Sequence, residues 1–228
     1  MINKLALFFL LLLSNCNGLL SQFNFQVGYG YHWSELNSLN KSIDIHNVDH
    51  SEYSKSLESI HGLHGISIGI RHQFEILAPT FLWSNQINKN YSIVPVSLTN
   101  TKEIKSEYFY KLQSYSLGLE TVGGLISVGG TIDLRRFNIK NRMSGTEGKN
   151  TILEERQFGN TFYAQFDFPA SRRMGLLFRL SYSFPWSNFN LNSYQNDLNP
   201  NKPQIQSTEK FHQIGISLIF SNGFQNRY

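Results

Sequence analysis

Apolar and polar residues alternate along most of the chain, most strictly near its start. From position 23 to position 33 every odd-numbered residue is aromatic or valine, and every even-numbered residue is polar or glycine. Because successive side chains of a β-strand point to opposite faces, this alternation predicts a strand with one apolar face. Comparable runs recur at 66–71, 80–86, 114–120, 126–135, 162–168, 175–186 and 213–220. The segments that join these runs are alternately long and short.

The eight alternating runs and their alternately long and short connections predict an all-β fold, an eight-stranded antiparallel up-and-down transmembrane β-barrel. Each strand of such a barrel shows one face to lipid and the other to the lumen, and short turns at one rim alternate with long loops at the other. Tight turns are predicted near Pro79, Gly123 and Pro169, where proline or glycine interrupts the alternation. The residues at 140–155 are predicted to form one of the polar loops.

The N-terminus has the form of a secretory signal. Lys4 supplies a positive charge, the apolar run 5–13 follows it, and small or polar residues come next. This run is too short to span a bilayer as a helix, so we expect a cleaved signal peptide that ends at Ser21. Cleavage after Gly18 and lipidation at Cys16 are the alternatives. The predicted units are a signal peptide at 1–21 and an outer-membrane β-barrel domain at 22–228.

The charged residues of the predicted strands point into the lumen if the apolar faces meet lipid. An eight-stranded barrel is only wide enough for its side chains to fill it, and buried charges persist when they are paired. We therefore interpret these residues as a lumenal ion-pair network that plugs the barrel, with a selective ion pathway as the alternative. The network consists of Arg71, Glu120, Asp133, Arg135, Asp167 and Arg179.

Aromatic residues make up 14% of the chain, and several lie at predicted strand ends. Amphipathic aromatic rings favour the headgroup level of a membrane, so these residues predict an interfacial girdle. The alternative is the ordinary preference of aromatic residues for strands. The predicted girdle consists of Tyr31, Trp33, Trp83, Phe184 and Trp186.

Neither a cofactor nor a metal is predicted. The first long loop carries His46, His50, His61 and His64, whose spacings are compatible with a zinc or copper site. No cysteine thiolate accompanies them as a further ligand. The formal net charge is +4, but the basic residues form no stripe with interleaved aromatic residues, so nucleic acid is not an expected partner.

The eight alternating runs from 23 to 220 and the signal segment resemble the small eight-stranded outer-membrane barrels. These include the OmpA-like transmembrane domain and the outer-membrane β-barrel family of Bacteroidota, with its PorT-like members tied to secretion. The resemblance implies a non-enzymatic envelope or surface-interaction protein that acts through long outer loops. The implied partners are outer-membrane lipid, the barrel-assembly machinery and an envelope or secretion-complex protein.

Two other functions remain open at this stage. The first is a lipid-modifying enzyme, an acyl hydrolase or acyltransferase, for which His32, Ser34 and Glu35 are the nearest set of suitable residues. The second is a soluble lipocalin-like carrier of an apolar ligand. Its faces would be inverted so that the apolar side chains line a cavity, and alternation alone does not distinguish the two orientations.

Overall fold

The computed structural model describes residues 23–74, 76–96, 102–121, 125–169, 174–202 and 207–222. The predicted signal peptide and Cys16 lie outside this part of the chain. Within it, eight antiparallel strands close into a barrel in the order β1-β10-β7-β6-β5-β4-β3-β2. The barrel strands are β1 (Phe23–Ser34), β2 (Gly62–His72), β3 (Leu77–Val94), β4 (Ile104–Thr121), β5 (Ile126–Met143), β6 (Asn150–Pro169), β7 (Met174–Pro185) and β10 (Gln213–Asn222). The predicted fold class is confirmed.

The outer face of the barrel is apolar and its inner face is polar. On β1, Phe25, Val27 and Tyr29 are each more than half exposed, whereas Asn24 and Gln26, which alternate with the apolar residues, are buried. The first strand closes the barrel by pairing with both β2 and β10. The orientation required by a lipocalin-like carrier, with apolar side chains lining the barrel, is therefore not the one observed.

One side of the barrel is much taller than the other. Strands β3, β4 and β5 have 18 residues each and β6 has 20, whereas β1, β2, β7 and β10 have 10 to 12. The prediction of a polar loop at 140–155 is wrong, because β5 and β6 continue into this region and a turn at 144–149 joins them. Gly145 and Gly148 in that turn have φ of 89° and 94°, which glycine adopts readily.

The long connections at the tall rim fold into a cap. The β1–β2 connection contains α1 (Asn37–Asp49), and the β7–β10 connection contains α2 (Asn192–Leu198) between the two-residue strands β8 (Phe189–Asn190) and β9 (Thr208–Glu209). No helix in the described ranges is long and apolar enough to cross a membrane.

The cap has a hydrophobic core of its own. Above the lumen the inner faces of β4 and β5 become apolar, and Leu112, Phe137 and Ile139 there are fully buried. They pack against apolar residues of the two cap connections, among them Leu39 and Tyr194. Burying a large apolar side chain contributes about 1.5–3 kcal/mol, so this cluster holds the cap over the barrel mouth.

Candidate functional site

The lower lumen, the part of the barrel interior farthest from the cap, contains a buried ion-pair cluster centred on Glu120 of β4. Arg71 Nη1 lies 2.6 Å from Glu120 Oε1, and Arg179 Nη2 lies 3.9 Å from Glu120 Oε2. The Tyr163 hydroxyl donates a hydrogen bond of 2.8 Å to Glu120, and Gln165 Nε2 donates a longer one of 3.3 Å. The Glu120 side chain is fully buried, so two arginines and two neutral donors supply its solvation.

The other three predicted lumenal charges are buried but hydrogen-bonded to neutral groups. Asp133 accepts hydrogen bonds from Thr131 and Thr161. Asp167 accepts a hydrogen bond of 3.2 Å from Ser127. Arg135 donates to the carbonyl oxygen of Phe211 and to the side chain of Gln213, both near the cap. Thus the structure brings Arg71, Glu120 and Arg179 together as ion pairs. Asp133 and Arg135 are bonded separately, and Asp167 keeps one buried oxygen, Oδ1, without a hydrogen-bond partner among the described residues.

The polar side chains of the lumen leave a small cavity between them. A cavity of about 60 Å³ lies among polar lumenal side chains, including His32, Gln86, Asp133 and Arg135. Such a volume accommodates a few water molecules and is too small for an organic solute.

The predicted girdle residues occupy two different levels of the outer surface. Tyr31, Trp33 and Trp186 are exposed near the outer ends of their short strands, and Phe184 is half-buried beside them. Trp83 instead lies well inside β3, where it pairs with Ile68 and Tyr115. The difference arises because β3 continues to Val94, beyond the end that the alternation suggested.

Of the four candidate metal-binding histidines, His46 and His50 lie side by side, with ring centres 4.6 Å apart, whereas His61 is exposed just before β2 and His64 lies on the barrel wall. The Nδ1 atom of His46 hydrogen-bonds the carbonyl oxygen of Leu198 at 2.9 Å, which joins α1 to α2. His50 stacks on Tyr53, and His64 bonds the hydroxyl of Tyr29 on the outer surface. Across the described ranges, no group of three His, Cys, Asp or Glu side chains is arranged to hold a metal ion.

The residues considered for lipid-modifying chemistry are separated by the alternation of β1. His32 lines the lumenal cavity, and Ser34 accepts a hydrogen bond of 3.1 Å from Gln213. Glu35 is exposed on the connection that follows β1. No hydrogen bond joins His32 to Ser34 in the described structure, so a nucleophile with an adjacent base is not assembled here.

The folded cap is the structural element that sequence reasoning missed. Helix α1 has no side-chain cap within its own sequence. Instead, Glu209 of β9 accepts hydrogen bonds from the backbone N–H groups of Ser38 and Leu39, at 2.7 and 3.1 Å. A carboxylate is favourable at a helix N-terminus, because the first N–H groups lack partners within the helix. Burial nevertheless raises the pKa of Glu209, and these hydrogen bonds oppose that shift.

Aromatic contacts complete the closure of the barrel mouth. The ring of Phe211 lies 5.0 Å from that of Phe137 and 5.9 Å from that of Phe189, centre to centre. The hydroxyls of Tyr110 and Tyr194 hydrogen-bond each other at 2.7 Å within the core. The extended strands and both cap connections therefore share one packed interior, which fixes the connections in place.

No protein-family model and no curated protein matches the chain. Solved structures with a similar fold include Ail, the attachment invasion locus protein of Yersinia pestis, in complex with the heparin analogue sucrose octasulfate. It has 9% identity and a TM-score of 0.44, over 88% of this chain and 96% of that one. Neisserial surface protein A has 8% identity and a TM-score of 0.43, with 89% and 97% covered. The translocator domain of the autotransporter NalP from Neisseria meningitidis has 8% identity and a TM-score of 0.41, with 97% and 98% covered. Similarity at this level carries no residue role from those proteins to this chain.

Proposed function

We propose that this chain is an integral outer-membrane β-barrel without enzymatic activity, whose rigid outer cap acts as a structural or interaction surface of the envelope. The observation that carries the proposal is the apolar belt around a polar lumen. Leu117, Ile132 and Phe162 on three neighbouring strands are each more than half exposed. Soluble monomers rarely expose apolar patches larger than a few hundred Å², so a belt that surrounds the whole barrel is suited to lipid.

The height of the belt supports the same proposal. On β5 the outward-facing residues are apolar or glycine from Ile126 to Leu134, and the next outward residue is Arg136. In a strand tilted by about 40° this run rises roughly 20 Å. The apolar band of outer-membrane barrels is about 25 Å tall, so the belt has the right order of size.

We also propose that the lumen is closed, which favours a structural or interaction role over transport. The ion pairs of Glu120 in the lumen and the cap core at its outer end support this part of the proposal. We propose that the barrel-assembly machinery inserts the chain and that the cap contacts an envelope or secretion-complex protein. We also propose membership of the Bacteroidota outer-membrane barrel family, supported by the eight alternating strands. Membership of the PorT-like branch can be tested by identifying the proteins that co-purify with the tagged chain, among which secretion-complex proteins are expected.

The location can be tested by fractionating native cells and running the protein on a gel with and without boiling. The expected result is a chain in the outer-membrane fraction whose unboiled form migrates differently from the boiled form. Recovery as a soluble protein of the periplasm or medium would overturn the proposal. A known periplasmic protein and a known outer-membrane barrel serve as fractionation controls.

The closed lumen can be tested separately, in planar bilayers that contain the refolded protein. We expect no steady conductance at neutral pH, because side chains occupy the bore. A stable, reproducible channel current from the unaltered protein would contradict the closed lumen while leaving the membrane location intact.

A further inference from the structure

The outer face of the tall strands carries a basic groove. It has a volume of about 660 Å³ and lies across β3, β4 and β5 and the turn that follows β5. Its described lining includes five cationic side chains and no carboxylate. These are Lys89, Lys111, Arg136, Lys140 and Lys149.

Much of this positive charge is not neutralised by the protein. Lys89 pairs with Glu107 and Arg136 pairs with Glu154. In contrast, no carboxylate of the described residues lies within 4.0 Å of the ammonium groups of Lys111, Lys140 and Lys149. The groove therefore presents unpaired cations to whatever contacts this face.

An aromatic ring lies at the centre of the groove. The ammonium group of Lys149 lies 3.5 Å from the ring centroid of Phe109, and that of Lys89 lies 5.3 Å away. The guanidinium of Arg142 is 5.8 Å from the same ring. The ring attracts these cations through its negative face, and it holds like charges close together at one place.

The groove lies directly above the apolar belt. Lys111 points to the same side of β4 as Tyr115 and Leu117, which are 47% and 66% exposed. On the neighbouring strand, Arg136 is the first outward-facing residue beyond Leu134. The cations thus begin where the lipid-facing residues end, at the level that lipid headgroups occupy.

We propose that this groove binds the phosphorylated headgroup of an anionic glycolipid, whose acyl chains lie against the apolar belt below. Lysine and arginine are the usual partners of phosphate oxygens. The amides of Gln113 and Asn138, which also line the groove, are suited to sugar hydroxyls. A soluble polyanion would use the cations equally well, but the adjoining belt is complementary only to a ligand with apolar chains.

The inference rests on the proposed membrane location, yet the two can fail independently. Cell fractionation tests the location, whereas the groove is tested with the folded barrel in non-ionic detergent micelles. The probes are an acylated glucosamine-disaccharide lipid with two phosphates, the same lipid without phosphates, and inorganic phosphate. Affinity is measured by titration at fixed ionic strength, since phosphate contacts depend on salt.

The test variant replaces Lys111, Lys140 and Lys149 with glutamine. A lysine at an anionic surface is worth about a fivefold change in affinity, so the triple variant should bind the phosphorylated lipid roughly 100-fold more weakly. The matched control replaces Lys41, Lys202 and Lys210, which are exposed and do not line the groove. It has the same change in charge and should bind as the unaltered protein does.

Each outcome is decisive for the groove. Tight binding of the phosphorylated lipid alone, lost in the groove variant and kept in the control, would support the proposal. Equal loss in both variants, or equal affinity for the lipid without phosphates, would overturn it. Inorganic phosphate binding as tightly as the lipid would also overturn it, because the acyl chains would then contribute nothing. Should the triple variant not fold, Lys149→Gln in the exposed turn should still weaken lipid binding about fivefold.

Discussion

Replacing Glu120 with glutamine should destabilise the barrel strongly, although the two side chains have almost the same shape. The carboxylate is fully buried, and its arginine partners Arg71 and Arg179 have side chains only 4% and 8% exposed. Removing one member of a buried ion pair costs about 3–5 kcal/mol, because it leaves the remaining charge buried without compensation. Here Arg71 would lose the carboxylate at 2.6 Å and Arg179 the one at 3.9 Å. The carboxylate of Asp167 and the amide oxygen of Gln165 would remain as their partial compensation.

This loss is large enough to measure by urea unfolding of the barrel in lipid vesicles, followed by tryptophan fluorescence. With a denaturant dependence of about 2 kcal/mol per molar, a loss of about 4 kcal/mol lowers the midpoint by roughly 2 M urea. Glu103→Gln is the matched control, because Glu103 is exposed in the β3–β4 connection. Its effect should stay within about 0.5 kcal/mol.

A second substitution separates charge burial from lost packing. Adding Arg71→Met to Glu120→Gln removes the guanidinium group that has lost its nearest carboxylate, so the double variant should regain part of the stability lost in the single variant. If Glu120→Gln instead unfolds at the same urea concentration as the Glu103→Gln control, the interpretation of the lumen as a dry, charge-paired interior is wrong. Water inside the barrel would then be screening the arginines.

Three further predictions concern the cap, the basic face and the N-terminus. Phe211→Ala removes a fully buried ring that packs on Phe137, so it should destabilise the cap by about 3–5 kcal/mol. The cap should then become sensitive to protease, while the barrel keeps its heat-modified gel mobility. Hydrogen bonding to Lys89 lowers the pKa of Glu107 to about 2 from its usual 4.5, so its stabilising contribution should be complete above pH 4.5 and be lost as pH falls towards 2. The thermal midpoint measured against pH should show this loss, and Glu107→Gln should remove it. Mass spectrometry of the protein from native cells should find Gln22 as the first residue.

These predictions fail in different ways. A Phe211→Ala variant whose cap resists protease as well as the unaltered protein would show that the aromatic cluster does not hold the cap. An identical acid profile for the Glu107→Gln variant would assign the acid sensitivity to another group. A lipidated cysteine at the mature N-terminus would support the alternative signal type.

The strand segments of the apolar belt were predictable, because their outward face is apolar and their inward face polar. The alternation at 23–33 corresponds to β1 (Phe23–Ser34), and that at 213–220 corresponds to β10 (Gln213–Asn222). Both strands have neighbours on each side, and their outward faces are apolar from Phe23 to Trp33 and from Ile214 to Phe220. In these two strands the alternation of apolar and polar residues in the sequence therefore coincides with the alternation of exposed and buried side chains.

Helix α1 was hidden within a segment that was predicted to be a polar loop. Its buried apolar positions, Leu39 and Ile43, follow Leu36 at helical spacing and were the available signal. The decisive stabilisation comes from elsewhere, since Glu209 caps the helix from the other cap connection. A contact between residues so far apart in sequence leaves no local pattern.

The upper parts of the long strands were not predicted from the sequence, for a more general reason. The alternation of β5 continues beyond the apolar belt, but its apolar residues change faces: Leu134 points outward, whereas Phe137 points inward and is fully buried. Arg135 and Arg136 lie between them, one directed into the lumen and one towards the outer groove. A strand must be apolar on the outside only at the depth of lipid, and above that level it buries its apolar side against the cap. A prediction that requires one apolar face along the whole strand ends it at this inversion, which is why a polar loop at 140–155 was expected. The outer limit of the apolar belt on β5 therefore lies where this inversion occurs, between Leu134 and Phe137.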